Sequence, residues 1–338
     1  MAGKRMGRQT IRLETPPSVA GYGNVVGRRE MEGPLAACFD GSGRNALFGE
    51  RTWEKAESAM QKQALIRALD RAGKTGADVD VIFAGDLLNQ CISSTFALRD
   101  QGIPFLGVYG ACSTMAESLA LAALFIDGGF ASCTAAMTSS HFCTAERQYR
   151  TPLEYGCQRT PTAQWTATAA GAVILTASGQ GPYLTHVTCG RIVDKGVLDS
   201  NNMGAAMAPA ARDTLAAHFA DTGGGPEDYD LIVTGDLGHL GKEILLDLCR
   251  LEGIDLSSNY DDCGVLLYDA EGQDMHCGGS GCGCSAAVLT GYLLPGLREG
   301  RWKRILFAAT GALLSPLSSQ QRESIPSICH AVVLSKEP

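Results

Sequence analysis

The sequence predicts an α/β fold made of two fused copies of one unit, with buried helices held between two sheets. Three observations carry this. Residues 78–87 read DVDVIFAGDL and residues 228–237 read DYDLIVTGDL, identical at six of ten positions. Each is a short apolar run entered from acidic residues and left through Gly-Asp, the pattern of a buried strand that ends in a turn. Cys112-Ser113 and Cys284-Ser285 each open an apolar helical stretch that stops sixteen residues after the cysteine, at Gly128 and Gly300. These stretches are nearly free of charge: 115–126 contains only Glu117, and 286–297 contains none. A helix apolar on nearly every side is buried on nearly every side, so one such helix per half implies a central helical layer.

The remaining elements fall into place along the chain. In the first half the strand run within 78–87 is followed by a strand run at 105–109, the Cys112 helix, an apolar run at 130–137 and GAVILT at 171–176. In the second half the matching order is 228–237, the Cys284 helix, 305–309 and HAVVLS at 330–335. Because the pairs recur in one order, the boundary is placed in the loop near 179–190, giving halves 1–182 and 183–338. Strands that alternate with helices point to mainly parallel inner strands.

Composition narrows the function classes. The chain has 338 residues, 45% hydrophobic and 19% charged, which excludes a disordered chain. Its net charge of −8 argues against nucleic acid as a partner. Gly accounts for 41 residues, well above the usual ~7%, so tight turns and close backbone packing are expected. Thirteen Cys in a chain this long argue against a secreted disulfide framework and for a reducing environment. The apolar run at 119–126 is eight residues, far short of a membrane span, and with no apolar stretch after Met-Ala-Gly-Lys-Arg no secretory signal is expected. Cys263 and the segment HCGGSGCGC (276–284) lack the paired Cys-x-x-Cys spacing of zinc sites, so no metal site is expected there.

The segment GVYGACSTMAESLALAA (107–123) resembles the nucleophile segment of the thiolase superfamily. The resemblance implies five layers ordered α-β-α-β-α and places Cys112 at the superfamily's nucleophile position. Nearly the whole chain is similar to a dipicolinate-binding branch of that superfamily in spore-forming bacteria. GYGNVVGRREMEGPLAACFD (21–40), GDLLNQCISSTFALR (85–99), MTSSHFCTAERQYRTPLEYGCQRTPTAQWTATAAGA (137–172) and HCGGSGCGCSA (276–286) carry this likeness. It implies binding of dipicolinic acid, free or as its calcium chelate, and support of its uptake into the developing spore. Implied with it are a homodimer, partners among the sporulation membrane proteins of the same uptake channel, and a peripheral place at the forespore or spore inner membrane. No cofactor is implied beyond calcium carried by the ligand.

The candidate site follows from chemistry. A thiol at a helix N-terminus feels the positive end of the helix dipole, so Cys112 is expected to have a lowered pKa, with the amides after it free to hold a carboxylate. A condensing enzyme of the superfamily also needs a His, and a second His or an Asn. Where the decarboxylating branch has its His, this chain has Asp236, with His239 three residues on; where that branch has Asn, it has Gly283 beside Ser285. His276 lies just upstream as a further stand-in. The balance favours a fold that kept the pocket and lost the catalytic set. The alternative is a degenerate acyltransferase using Cys112. Donors for the two ligand carboxylates are sought in Ser113, His141, Arg147 and Arg150, with Asp86 and Asn89 following the first repeated strand and carboxylates such as Asp86 available to a calcium ion carried by the ligand. Each has a plainer reading: His141 as a loop cap, Asp86 and Asn89 as turn caps, and the arginines as solvated charges.

Overall fold

The computed structural model describes residues 4–150, 153 and 158–338. The first half contains β1 (Thr10–Arg12), β2 (Ser18–Val26), α1 (Trp53–Ala72), β3 (Val81–Asp86), α2 (Ile92–Leu98), β4 (Phe105–Gly107), α3 (Thr114–Asp127), β5 (Cys133–Ser140), α4 (Phe142–Tyr149), β6 (Trp165–Thr166) and β7 (Ala169–Thr176). The second contains β8 (Tyr183–Thr188), α5 (Met203–Thr222), β9 (Leu231–Thr234), α6 (Gly238–Leu251), β10 (Tyr260–Asp262), α7 (Cys263–Leu267), β11 (Gly279–Ser280), α8 (Cys282–Val288), α9 (Leu294–Glu299), β12 (Arg304–Ala312), α10 (Pro316–Gln320) and β13 (Ser327–Ser335). A π turn at Leu289–Leu293 joins α8 to α9 in one continuous rod.

The strands repeat one topology. The first set runs β2-β7-β5-β3-β4 and the second β8-β13-β12-β9-β10, joined edge to edge through the single register pair Ser18 and Tyr183. In each set the first two pairings are antiparallel and the last two parallel. The expectation of mainly parallel strands is therefore corrected to half. GAVILT and HAVVLS are the antiparallel members, and an apolar run carries no sign of its direction.

Side chains alternate across each strand, and the alternation builds the layers. Val81 and Phe83 of β3, and Leu231 and Val233 of β9, point into one shared core with Met115 and Leu119 of α3 and Val288 of α8. Ile82 and Ala84 point the other way, onto Met60 and Leu65 of α1. Ile232, with Leu306 of β12, points outward onto Met207 and Leu215 of α5. The order is thus helix, sheet, buried helices, sheet, helix, as the sequence reading expects. The second buried helix starts at Cys282, two residues earlier than the Cys-Ser repeat suggests. Gly283 explains how closely it docks: a Cβ there would lie 2.4 Å from Ala169 O and 2.6 Å from Ser140 Oγ. Twelve of the thirteen Cys are described, all free, and Cys157 lies outside the described residues.

Candidate functional site

Cys112 sits in the turn between β4 and α3, at the floor of a narrow cleft. Ala111, just before it, has a φ of 50°, a left-handed conformation that costs a non-glycine residue roughly 1–2 kcal/mol. That turn is fixed by Ser113 N donating to Gly110 O at 3.0 Å and Thr114 N donating to Ala111 O at 3.2 Å. The two amides after Cys112 are therefore engaged, and neither is free for a ligand carboxylate. Gly311 of β12 lets the turn approach, since a Cβ there would lie 2.1 Å from Gly110 O. The cleft encloses about 50 Å³ and is walled by Leu87, Tyr109, Tyr149, Met203, Met207 and Leu314. Tyr109 and Tyr149 are linked through their hydroxyls at 2.9 Å, and Tyr149 Oη donates to Leu87 O.

The thiol is not activated. Burial pushes Cys112 well above the usual cysteine range, and the Asp236 carboxylate within hydrogen-bonding reach pushes it further. The expected lowering by the helix dipole is overturned, because a full carboxylate beside a desolvated sulfur outweighs a partial charge at the start of α3. Asp236 is held in place: Oδ1 accepts from Thr310 Oγ1 at 2.8 Å, and Oδ2 accepts from Gly281 N at 2.8 Å and Ser280 Oγ at 3.3 Å. Its own pKa is raised by burial, against the lowering effect of these donors.

Of the other candidates, only Arg150 lines the cleft among the described residues. Ser113 is fully buried and its Oγ accepts from His330 N of β13 at 3.2 Å. His141 caps α4, accepting from Cys143 N at 3.2 Å through Nδ1 and donating to Ala46 O at 2.7 Å through Nε2. Both ring nitrogens are satisfied by backbone, and burial lowers its pKa, so it is a neutral structural residue. Asp86 accepts from Leu88 N, Ser94 N and Ser94 Oγ, which fixes the start of α2, and it is fully buried outside the lining of the cleft. Asn89 is exposed, with its amide on Gln148 Oε1 at 3.1 Å. Arg147 pairs with Glu54 and stacks over Trp53 at 5.2 Å. Gly283 packs α8 onto β5 and β7, and Ser285 Oγ bonds back to Cys282 O at 3.1 Å. His239 is exposed, and His276 is bonded to Thr160 O at 2.7 Å, so neither stands in for a catalytic His at Cys112.

Sequence reasoning missed the buried polar layer behind the cleft. Glu57 of α1 accepts from Ser139 Oγ at 2.8 Å and Thr144 Oγ1 at 3.0 Å, and Gln61 donates to Ser139 Oγ at 2.7 Å. Burial, and then the Asp86 charge nearby, push the Glu57 carboxyl up to about 8, and burial pushes Asp86 up as well. The signal available was two polar residues on the face of α1 that otherwise reads Ala56, Met60, Ala64 and Leu65.

The layers and the half-buried Cys112 turn give a thiolase-like fold. Among solved structures the chain is similar to the 3-oxoacyl-[acyl-carrier-protein] synthase III of Aquifex aeolicus VF5, at 14% identity and TM-score 0.56, covering 94% of this chain and 99% of that one. It is similar also to cerulenin-bound OleA of Xanthomonas campestris, at 15% identity and TM-score 0.61, covering 96% and 100%. At these identities the likeness is one of fold. The family described as Stage V sporulation protein AD matches residues 7–335. The Stage V sporulation protein AD of Bacillus subtilis (strain 168) is 43% identical over 333 residues, 98% of each chain. The chain belongs to the stage V sporulation protein AD family.

Proposed function

We propose that this sporulation protein is a non-catalytic binder that holds dipicolinate, free or as its calcium chelate, in the cavity system opening at Cys112, and that it supports uptake of that acid into the developing spore. One observation carries the reading: the thiol at the superfamily's nucleophile position faces the buried carboxylate of Asp236, with no His among the described residues that line its cleft. A condensing enzyme needs the opposite arrangement, a thiolate with donors aimed at a developing oxyanion.

Partners belong to the same proposal. Among the described residues no helix is long and apolar enough to cross a membrane. Association with the spore inner membrane is therefore assigned to sporulation membrane proteins of the uptake channel. A second copy of the chain is assigned to the β4 edge, where Ile92, Phe96, Leu106 and Tyr109 are exposed. Calcium, where present, arrives with the ligand, because both Asp86 oxygens already accept protein donors.

Titration calorimetry tests the reading. Dipicolinate is expected to bind saturably at one site per chain, with affinity lowered about tenfold by Cys112→Trp, which fills the cleft. No saturable heat, or binding indifferent to that replacement, would contradict it.

A further inference from the structure

The two copies of the unit differ in chemistry at the end of the sheet opposite the Cys112 cleft, and four matched positions carry the difference. α1 ends at Ala72 before Gly73 and α5 at Thr222 before Gly223, the same offset that relates 78–87 to 228–237. Ala68 therefore matches His218, and Val79 matches Tyr229. Asp80 accepts from Ser132 N at 2.7 Å and Cys133 N at 3.0 Å, and Asp230 accepts from Lys303 N at 2.7 Å and Arg304 N at 2.9 Å, so Cys133 matches Arg304. Two residues on, Ala135 pairs with Ile174 and that with Gly21, while Leu306 pairs with Val333 and that with His186. Gly21 thus matches His186. In the first half α1 lies directly on β2, since a Cβ on Gly21 would lie 2.3 Å from Ala68 O. In the second half two imidazoles stand in that contact, His186 and His218, with centroids 6.4 Å apart.

These rings form a support. His218 is fully buried, bonded through Nδ1 to Thr188 Oγ1 at 2.7 Å and through Nε2 to Tyr229 Oη at 2.6 Å. The Tyr229 ring in turn carries the Arg304 guanidinium at 4.8 Å. Val333 and Leu306 belong to the outward core beneath α5; His186 lies opposite Val333, and Arg304 two residues before Leu306, so both share that face. Arg12 of β1 is the direct partner of His186 and shares it too. Beyond the end of α5 the face is a groove of about 1020 Å³, lined by these three residues together with Lys4, Arg5 and Leu13. It has no lining residue in common with the Cys112 cleft. β12 runs from Arg304 at the groove to Gly311 at the Cys112 turn, about 23 Å of strand.

In a chain of net charge −8, neither Arg12 nor Arg304 pairs with a carboxylate among the described residues. Asp230 is engaged by backbone amides, Glu14 lies 3.5 Å from Lys4, and Glu337 stands exposed at the rim. Burial, then the Arg304 and Arg12 charges, hold His186 down to about 4, so it is a neutral ring with one N–H at pH 7. Converging cations without a counter-charge raise one another's energy, and a bound anion relieves it. Three strand spacings, about 14 Å, separate Arg12 from Arg304, a gap that two long side chains close over His186. A planar carboxylate is satisfied by one guanidinium fork, whereas a phosphate has oxygens for both and for an N–H between them. We infer that this groove binds a phosphate group, clasped between Arg12 and Arg304 over the His186 ring and carried by a soluble phosphate compound or by a lipid headgroup.

Calorimetry of the full chain with sodium pyrophosphate at low salt tests the clasp. Arg12→Gln and Arg304→Gln are each expected to weaken binding about tenfold, as loss of a charged hydrogen bond requires. Arg304→Lys, which keeps the charge and loses the fork, is expected to recover part of that loss. Arg250→Gln, on α6 and paired with Asp247 outside the groove, is expected to change nothing. Thermal unfolding checks that each variant folds. Sedimentation with phosphatidylcholine vesicles, with and without phosphatidylglycerol, separates the two sources. Phosphatidylglycerol-dependent sedimentation that both Gln variants lose assigns the phosphate to a lipid headgroup; pyrophosphate binding without sedimentation assigns it to a soluble compound. Saturable binding of neither probe, binding that both Gln variants retain in full, or preference for a glutamate-rich peptide over pyrophosphate would overturn the inference.

Discussion

Gly283→Ala is expected to destabilise the fold by about 3 kcal/mol, the upper part of the usual range for overpacking a rigid core. The added Cβ would meet Ala169 O at 2.4 Å, Ser140 Oγ at 2.6 Å and Ser140 N at 2.8 Å. Two of these are backbone atoms of β7 and of the end of β5, so no side-chain rotation relieves the clash. The helix rod beginning at α8 must then move off the sheet, and it carries Val288, Leu289, Leu293 and Leu297 in the shared core. Chemical unfolding followed by circular dichroism reads the loss. Gly76→Ala is the control, because its nearest neighbour would be Ile103 Cδ1 at 3.4 Å, an ordinary contact. Equal stability of the two variants would show that α8 does not dock as described.

The second large effect is chemical. Asp236→Asn is expected to raise the rate of iodoacetamide alkylation at Cys112 about tenfold at pH 8. The Asn side chain keeps the volume and an oxygen for Gly281 N, and it removes the negative charge that disfavours the thiolate. One pKa unit of relief is about 1.4 kcal/mol and a tenfold change in thiolate fraction. Burial still holds the thiol above its ordinary range, so the variant is expected to react more slowly than a free cysteine. Peptide mass mapping assigns the label to Cys112 against the other twelve cysteines. An unchanged rate would mean that desolvation alone sets the thiol.

The duplication was legible because both halves use the same strand, helix and turn chemistry, and the pairing of 78–87 with 228–237 locates β3 and β9 directly. The two buried helices were legible from missing charge. Strand direction was not, since β7 and β13 read as apolar runs whichever way they lie. The site divides along the same line. Cys112 was found from its local frame of strand, Gly and helix. Whether His141 faces the cleft is decided by Ala46, 95 residues away, whose carbonyl takes its Nε2. Asp86 is settled nearer home, by the two donors Ser94 offers it. Arg150 and Arg147 are three residues apart on one segment, and only contacts with Glu146 and Glu54 separate the one in the cleft from the one on the surface. Arg159, Gln164 and Trp165 lie in the 137–172 segment that carries the family likeness, yet nothing in their local pattern singled them out for a role.

Acyl transfer at Cys112 is the rival to binding, and the intact mass of the protein decides between them. The protein and its Cys112→Ser variant are incubated with short and medium acyl-coenzyme A thioesters at pH 7 to 8 and weighed. The expected result is no acyl adduct on either chain, because the thiol is un-ionised beside Asp236 and no His among the described cleft residues relieves it. A stoichiometric adduct on the unaltered chain, absent from Cys112→Ser, would make this protein an acyltransferase.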